Sequence, residues 1–512
     1  MPAGQEERRV EALAGGGRLG HRATQDALAA FRNGLKLGGA LLLTWGISIG
    51  VRVLLPRHLG PAAFGNLNFA DAFAVTAFVL VGLGVDLHLR REYPVRPQVA
   101  SELFGGLLVA RVAITGVLFA AIALVLHLTG RQPVVWRLVF FFGLAQLCIA
   151  VNATLGAILQ AKGEVDGLSV VNVVSKAIWG GGVLLGMALG QALVAVPVAL
   201  LLSELVKGAV LYRLAHRLAD LRIRLDVPGT RAALVASLPF YVNQIAFTAY
   251  GRIDVTVLSF VLNDDQELGW YGAASTLAGL SLLVTPVLGW VLIPLFARAA
   301  ERGEADLRAT VARSMEVVLV VAVPMALLLA LGAEVWVRVV FGAAYAPAAP
   351  ALRLLSLTFV LTYVAMVSAC CLNVMGRSWQ VTFVSLAALL VNPALNVTLV
   401  KLATASAAPP GAAGTAAAVA VFVSEALVVT TMTVLLRGLP FDRRGFGIVL
   451  RMALAGALVA ALDRLARPLG PARLALDAGA WVALAILLGA LRWREVRAFV
   501  GSARRRSDPG AG

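Results

Sequence analysis

Runs of about 20 predominantly apolar residues recur from one end of this chain to the other, separated by short connections. Each run is long enough to cross a hydrocarbon core roughly 30 Å thick as a helix. About fourteen such spans are predicted, at 35–55, 66–89, 102–127, 136–160, 167–189, 192–214, 232–262, 269–297, 311–332, 350–375, 380–402, 413–436, 448–466 and 474–491. No connection is long enough for a separate folded domain. The expected class is therefore all-α, a polytopic membrane protein. Composition agrees, because with 60% hydrophobic and only 14% charged residues a soluble globule has too little polar surface to cover its apolar bulk. Disorder requires the opposite balance, and three cysteines cannot build a disulfide scaffold. Cys148, Cys370 and Cys371 lie in predicted spans and read as packing residues.

The formal net charge of +16 invites a nucleic-acid reading, but no compact basic domain or readable motif accompanies it. The cations instead sit in short runs between spans, the pattern that orients membrane proteins. Placing the N-terminus inside collects Arg90, Arg91, Arg96, Arg213, Arg217, Arg222, Arg224, Arg298, Arg302, Arg437, Arg443 and Arg444 on the cytoplasmic side. Few cations remain outside, among them Arg57, Arg131, Arg338 and Arg467. An even number of spans with both termini cytoplasmic is expected, and the polar first 30 residues do not resemble a cleavable signal peptide.

A weak internal repeat accompanies this pattern. Ala63-Phe64-Gly65-Asn66-Leu67-Asn68-Phe69-Ala70 follows the first span and Glu267-Leu268-Gly269-Trp270-Tyr271-Gly272-Ala273-Ala274 follows the seventh. Each has an apolar residue and Gly before a new span, an apolar residue two after the Gly and Ala five after it. Both fall on the outer side, as parallel repeats about an axis along the membrane normal would.

Further residues carry a resemblance. Leu55-Pro56-Arg57-His58-Leu59-Gly60-Pro61-Ala62-Ala63-Phe64-Gly65, then Ser237-Leu238-Pro239-Phe240, Arg252-Ile253-Asp254 and the Glu267–Ala274 segment resemble, in order and spacing, the polysaccharide transporter (oligosaccharide flippase) family of the multidrug/oligosaccharidyl-lipid/polysaccharide (MOP) superfamily. Phe341-Gly342-Ala343-Ala344-Tyr345 and Gly411–Ala416 are fainter echoes. The resemblance implies two six-helix lobes plus two C-terminal helices. It divides the chain into a cytoplasmic tail (1–32), an N-lobe (33–214), a basic linker (215–231), a C-lobe (232–437), two additional spans (448–491) and a basic tail (492–512). It further implies a protein of the bacterial inner membrane that moves an undecaprenyl-pyrophosphate-linked oligosaccharide to the outer leaflet by alternating access, without cofactor. The partners implied are the lipid-linked oligosaccharide, membrane lipids, a polysaccharide polymerase and chain-length regulators. A lipid II flippase or multidrug exporter of the same superfamily is the alternative within transport. A membrane glycan polymerase or ligase is the alternative from another class, and it normally needs a catalytic loop or domain that these short connections do not supply.

Charged side chains inside a bilayer are costly, so they usually face a bundle interior or a hydrated cavity. Arg111 and Lys176 lie roughly 12 to 15 Å from the inner ends of their spans at about 1.5 Å per residue, where reaching water is hardest. With Arg52, Arg252 and Arg353 they are the candidate contacts for a substrate pyrophosphate. The competing reading is that each neutralises a carboxylate on a neighbouring helix. Asp71, Asp254, Glu316 and Glu425 are candidates for binding a coupling ion, again with salt-bridge partnership as the alternative. Lys207 follows Glu204 by three residues on one helical face and reads as structural. No metal-ligand spacing, phosphate-binding loop or nucleophile motif is present in the sequence, and no catalytic residue is expected.

Overall fold

A computed structural model describes residues 39, 43–164, 166–262, 264–282, 285–405, 408–437 and 443–489; the predicted tails 1–32 and 492–512 lie outside the described residues. All regular elements among them are helical. They run α1 (Leu43–Gly82), α2 (Val85–Glu92), α3 (Val99–Leu128), α4 (Pro133–Ala161), α5 (Asp166–Ala188) and α6 (Ala192–Ala219). After the non-helical residues 220–226 come α7 (Val227–Tyr250), α8 (Ile253–Val261), α9 (Asp265–Gly279), α10 (Thr285–Arg302), α11 (Glu304–Leu331) and α12 (Ala333–Val340). The chain continues through α13 (Ala349–Val374), α14 (Ser378–Thr404), α15 (Ala412–Leu435), α16 (Arg443–Leu465) and α17 (Arg473–Leu487). Ten helices among the described residues are long and apolar enough to cross a membrane, or up to eleven if a broken pair counts as one. Their outward faces carry large apolar side chains such as Val117, Phe247 and Leu390, each more than two-thirds exposed, as lipid contact requires.

The spans differ from their predicted outlines where the backbone is interrupted. α1 covers both of the first two predicted spans; 40 residues of straight helix would be about 60 Å long, twice a bilayer core. The interruption is Gly60, at φ 73°, with Pro61 directly after it. Left-handed Gly ends one helical stretch and Pro suits the first turn of the next, so the predicted connection contracts to a stop and a start. The predicted span 232–262 is divided between α7, itself bent between its Val227–Leu238 and Tyr241–Tyr250 stretches, and α8. The predicted span 269–297 is divided among α9, the 3₁₀ turn Leu280–Leu282 and α10. α16 forms where the thirteenth span was predicted and is not among the ten.

The chain divides into two compact units, one holding the residues up to Arg52 with Val81–Phe119 and Leu144–Leu238, the other holding Val53–Leu80, Ala120–Gly143 and the chain from Pro239 onward. In the first, α5 packs on α6 and also meets α1, where Gly180 abuts Ile47 and Val51. The basic linker is tied to α3, with the Arg222 N–H donating to Ser101 Oγ at 3.0 Å. In the second, Phe296, Val311, Met315, Val367, Cys371, Val459 and Ala485 share one core drawn from α10, α11, α13, α16 and α17.

Candidate functional site

The two repeated motifs, read as distant relatives in the sequence, lie against each other in the second unit. A Cβ placed on Gly65 would stand 2.0 Å from the Asp265 carbonyl oxygen and 2.9 Å from the Gly269 nitrogen. One placed on Gly269 would stand 2.0 Å from the Pro61 carbonyl oxygen. Backbone therefore meets backbone at both glycines. Polar contacts fix the register: Asn66 Nδ2 donates to Asp265 Oδ2 at 2.9 Å, and Tyr345 OH donates to the Pro56 carbonyl at 2.8 Å. α9 begins on Asp264, whose carboxylate accepts from the N–H groups of Gln266 and Glu267. Glu267 in turn accepts from the Gly411 N–H at 2.6 Å and the Gly414 N–H at 3.4 Å, capping α15 from a segment 144 residues earlier. A carboxylate at that end complements the positive pole of the helix.

Charged groups of the same unit pair around this contact. Arg252 stands 3.7 Å from Asp71, joining two sequence candidates. Asp254 accepts from Tyr271 OH, and Glu425 accepts from Tyr250 OH at 2.7 Å. Arg252 and Asp254 thus meet different partners, and Arg252 precedes α8 as its N-cap. Arg353, at the start of α13, pairs with Glu334 of α12. Arg131 is a site residue the sequence reading passed over as an ordinary outer-loop cation. Its guanidinium donates to the Ser259 hydroxyl at 2.8 Å and lies 4.9 Å from the centre of the Phe69 ring. Its position outside the predicted spans gave no sign of this.

In the first unit Arg111 is 1% exposed and closely held. Its Nε donates to the Val81 carbonyl at 3.1 Å, and one terminal nitrogen donates to the Gly82 carbonyl at 3.2 Å and to Thr154 Oγ1 at 2.8 Å. Thr154 passes a 2.7 Å hydrogen bond to Asp86, whose carboxylate is 3.9 Å from the guanidinium. The cation thus sits on the last carbonyls of α1, at the negative pole of that helix. Lys176 is half-buried with its ammonium 4.2 Å from the Trp179 ring centre, while Arg52 is exposed on α1. Lys207 and Glu204 pair at 3.8 Å, with Asn152 donating to Glu204. Glu316 is half-buried on α11. No group of three or more metal-ligating side chains occurs among the described residues.

A family model described as "polysaccharide biosynthesis protein" matches residues 30–300, more than half of the chain. The chain belongs to that family. The resemblance carried by the sequence motifs is borne out. Solved structures share the family member's fold. A lipid II flippase, MurJ, in an inward closed conformation superposes with TM-score 0.70 at 12% identity, covering 91% of this chain and 99% of that one. An inward-facing multidrug resistance MATE transporter of the MOP superfamily gives 0.61 at 14% identity, over 78% of this chain and 98% of that one. A MOP superfamily transporter from Pyrococcus furiosus, described by the reversed polarity of its binding pocket, gives 0.52 at 15% identity over 80% and 96%. Among curated proteins no relative matches the sequence. The family member is accordingly an all-helical, multi-span membrane protein with the fold of MOP superfamily transporters.

Proposed function

We propose that this family member is a flippase of the bacterial cytoplasmic membrane, carrying an undecaprenyl-pyrophosphate-linked oligosaccharide from the inner to the outer leaflet by alternating access. Residues 33–214 and 232–437 serve as its two lobes, and both termini are cytoplasmic. The observation that carries this reading is the family match over residues 30–300; the shared fold with a lipid II flippase supports it, since that protein handles a lipid-linked sugar. The cargo implied carries a pyrophosphate, and cations are the groups to hold it. Arg52 on α1 and Lys176 on α5 are the substrate contacts we favour. Their helices pack together at Gly180, which abuts Ile47 and Val51 one residue before Arg52. Asp254 and Glu425, each held by a tyrosine, are the ion-coupling carboxylates. A polymerase and its chain-length regulators would consume the product.

Reconstitution into vesicles with a fluorescent lipid-linked oligosaccharide tests the proposal, through the fraction of label that an impermeant quencher reaches over time. Wild-type protein is expected to equilibrate label between leaflets, and Arg52→Ala or Lys176→Ala to slow it about tenfold each, the loss of one charge-assisted hydrogen bond. Folded wild-type protein that leaves the oligosaccharide lipid in place while moving lipid II would transfer the assignment to that cargo. Unaltered rates in both variants would remove these residues from the mechanism.

A further inference from the structure

The two C-terminal helices carry charges that the transport reading does not use. Asp463 near the end of α16, Arg473 at the start of α17 and Asp477 one turn later are each less than a tenth exposed, and Asp477 is fully buried. Arg473 Nε stands 2.9 Å from Asp463 Oδ1, and another guanidinium nitrogen donates to the Leu331 carbonyl of α11 at 3.3 Å. Asp477 is within hydrogen-bonding reach of Asp463, yet neither of its oxygens has a donor among the described residues. It lines a cavity of about 170 Å³ whose other walls include Pro324, Leu327 and Leu331 of α11, Val459 of α16 and Trp481 of α17. Among the described residues the charged groups facing Asp477 are Asp463 and Arg473; α11 presents hydrocarbon.

Two ionised carboxylates only accept, so a hydrogen bond between them lacks its hydrogen. Their charges with that of Arg473 leave one uncompensated negative charge where the walls cannot solvate it. A single proton removes both defects. We infer that Asp463 and Asp477 hold one proton between them, Asp477 acting as a neutral acid that donates to Asp463 while Asp463 keeps its ion pair with Arg473. A hard metal cation fits less well, because such ions take about six oxygen ligands and these walls are almost wholly apolar. The proton belongs to the docking of α16 and α17 on α11: ionising Asp477 puts two like charges together inside the seam.

Infrared spectroscopy of the full-length protein at neutral pH tests this directly. Wild type is expected to show a carboxylic-acid carbonyl band, shifted by deuterium exchange, and Asp477→Asn to lose the intensity of one acid. Asp463→Asn, which leaves Asp477 to neutralise Arg473, is expected to lose the same band and carries the comparison if the first variant does not fold. The wild-type melting midpoint should fall from mildly acidic to mildly alkaline pH by more than that of Asp477→Asn. Equal acid intensity in wild type and both variants overturns the inference. So does stabilisation of wild type by sodium or potassium that Asp477→Asn abolishes, which would put a metal ion in place of the proton.

Discussion

Replacing Gly65 or Gly269 with Val should leave little folded protein, and replacing either with Ala should lower the melting midpoint markedly. A Cβ at each position would stand 2.0 Å from a backbone carbonyl oxygen, so no rotamer change relieves the clash and a whole helix must move. Overpacking of a rigid interior typically costs about 1–3 kcal/mol, and a backbone obstacle places these sites at or above the top of that range. Gly116 on α3 is the control, because a Cβ there meets nothing within 4 Å and Gly116→Ala should be neutral or mildly stabilising. The measurement is the elution profile and melting midpoint of each variant in the same detergent. The Ala pair should be less than additive, since one helix displacement relieves both contacts. A Gly65→Ala protein as stable as Gly116→Ala would mean that the two motifs do not touch.

Arg111→Ala should be the most damaging single change in the first unit. It removes a fully buried cation from two carbonyls, a threonine hydroxyl and the Asp86 carboxylate. Breaking a buried ion pair from one side commonly costs about 3–5 kcal/mol. Arg111→Lys keeps the charge but not the fork that reaches several acceptors, and should recover part of the loss. Asp86→Asn should cost less than Arg111→Ala, because Asp86 is 30% exposed and water already shares its charge. Melting midpoints order the three variants. Flipping rate per folded molecule then separates packing from cargo contact: a well-folded Arg111→Ala protein with no transport would return Arg111 to the substrate site.

The membrane class, the helical architecture and the family were legible because each rests on local signals: apolar run length, turn residues and short motifs. Interruption was harder to read. Gly60 and Pro61 looked like part of a connection, and only the backbone angle shows that they form the whole of it. Depth singled out Arg111 and Lys176 as unusual, but depth cannot distinguish a cation that meets ligand from one that plugs the end of a neighbouring helix. That distinction depends on where Val81 and Gly82 come to rest, 30 and 29 residues before Arg111 in the chain. Asp71 and Arg252 were named separately, and their pairing depends on a contact spanning most of the first half of the chain. Arg131 was missed because nothing near it in sequence announces Ser259 or the Phe69 ring.

The cap that Glu267 places on α15 has a bearing on biosynthesis. A ribosome adding about 5–20 residues per second needs on the order of 10–30 s to travel the 144 residues from Glu267 to Gly411. Throughout that interval the carboxylate has no helix end to receive, and the first turn of α15 is completed only by a segment translated long before. A nascent chain halted short of Gly411 is therefore left with an acidic side chain awaiting its amides, an unfinished state that quality-control proteases would encounter before the finished protein exists.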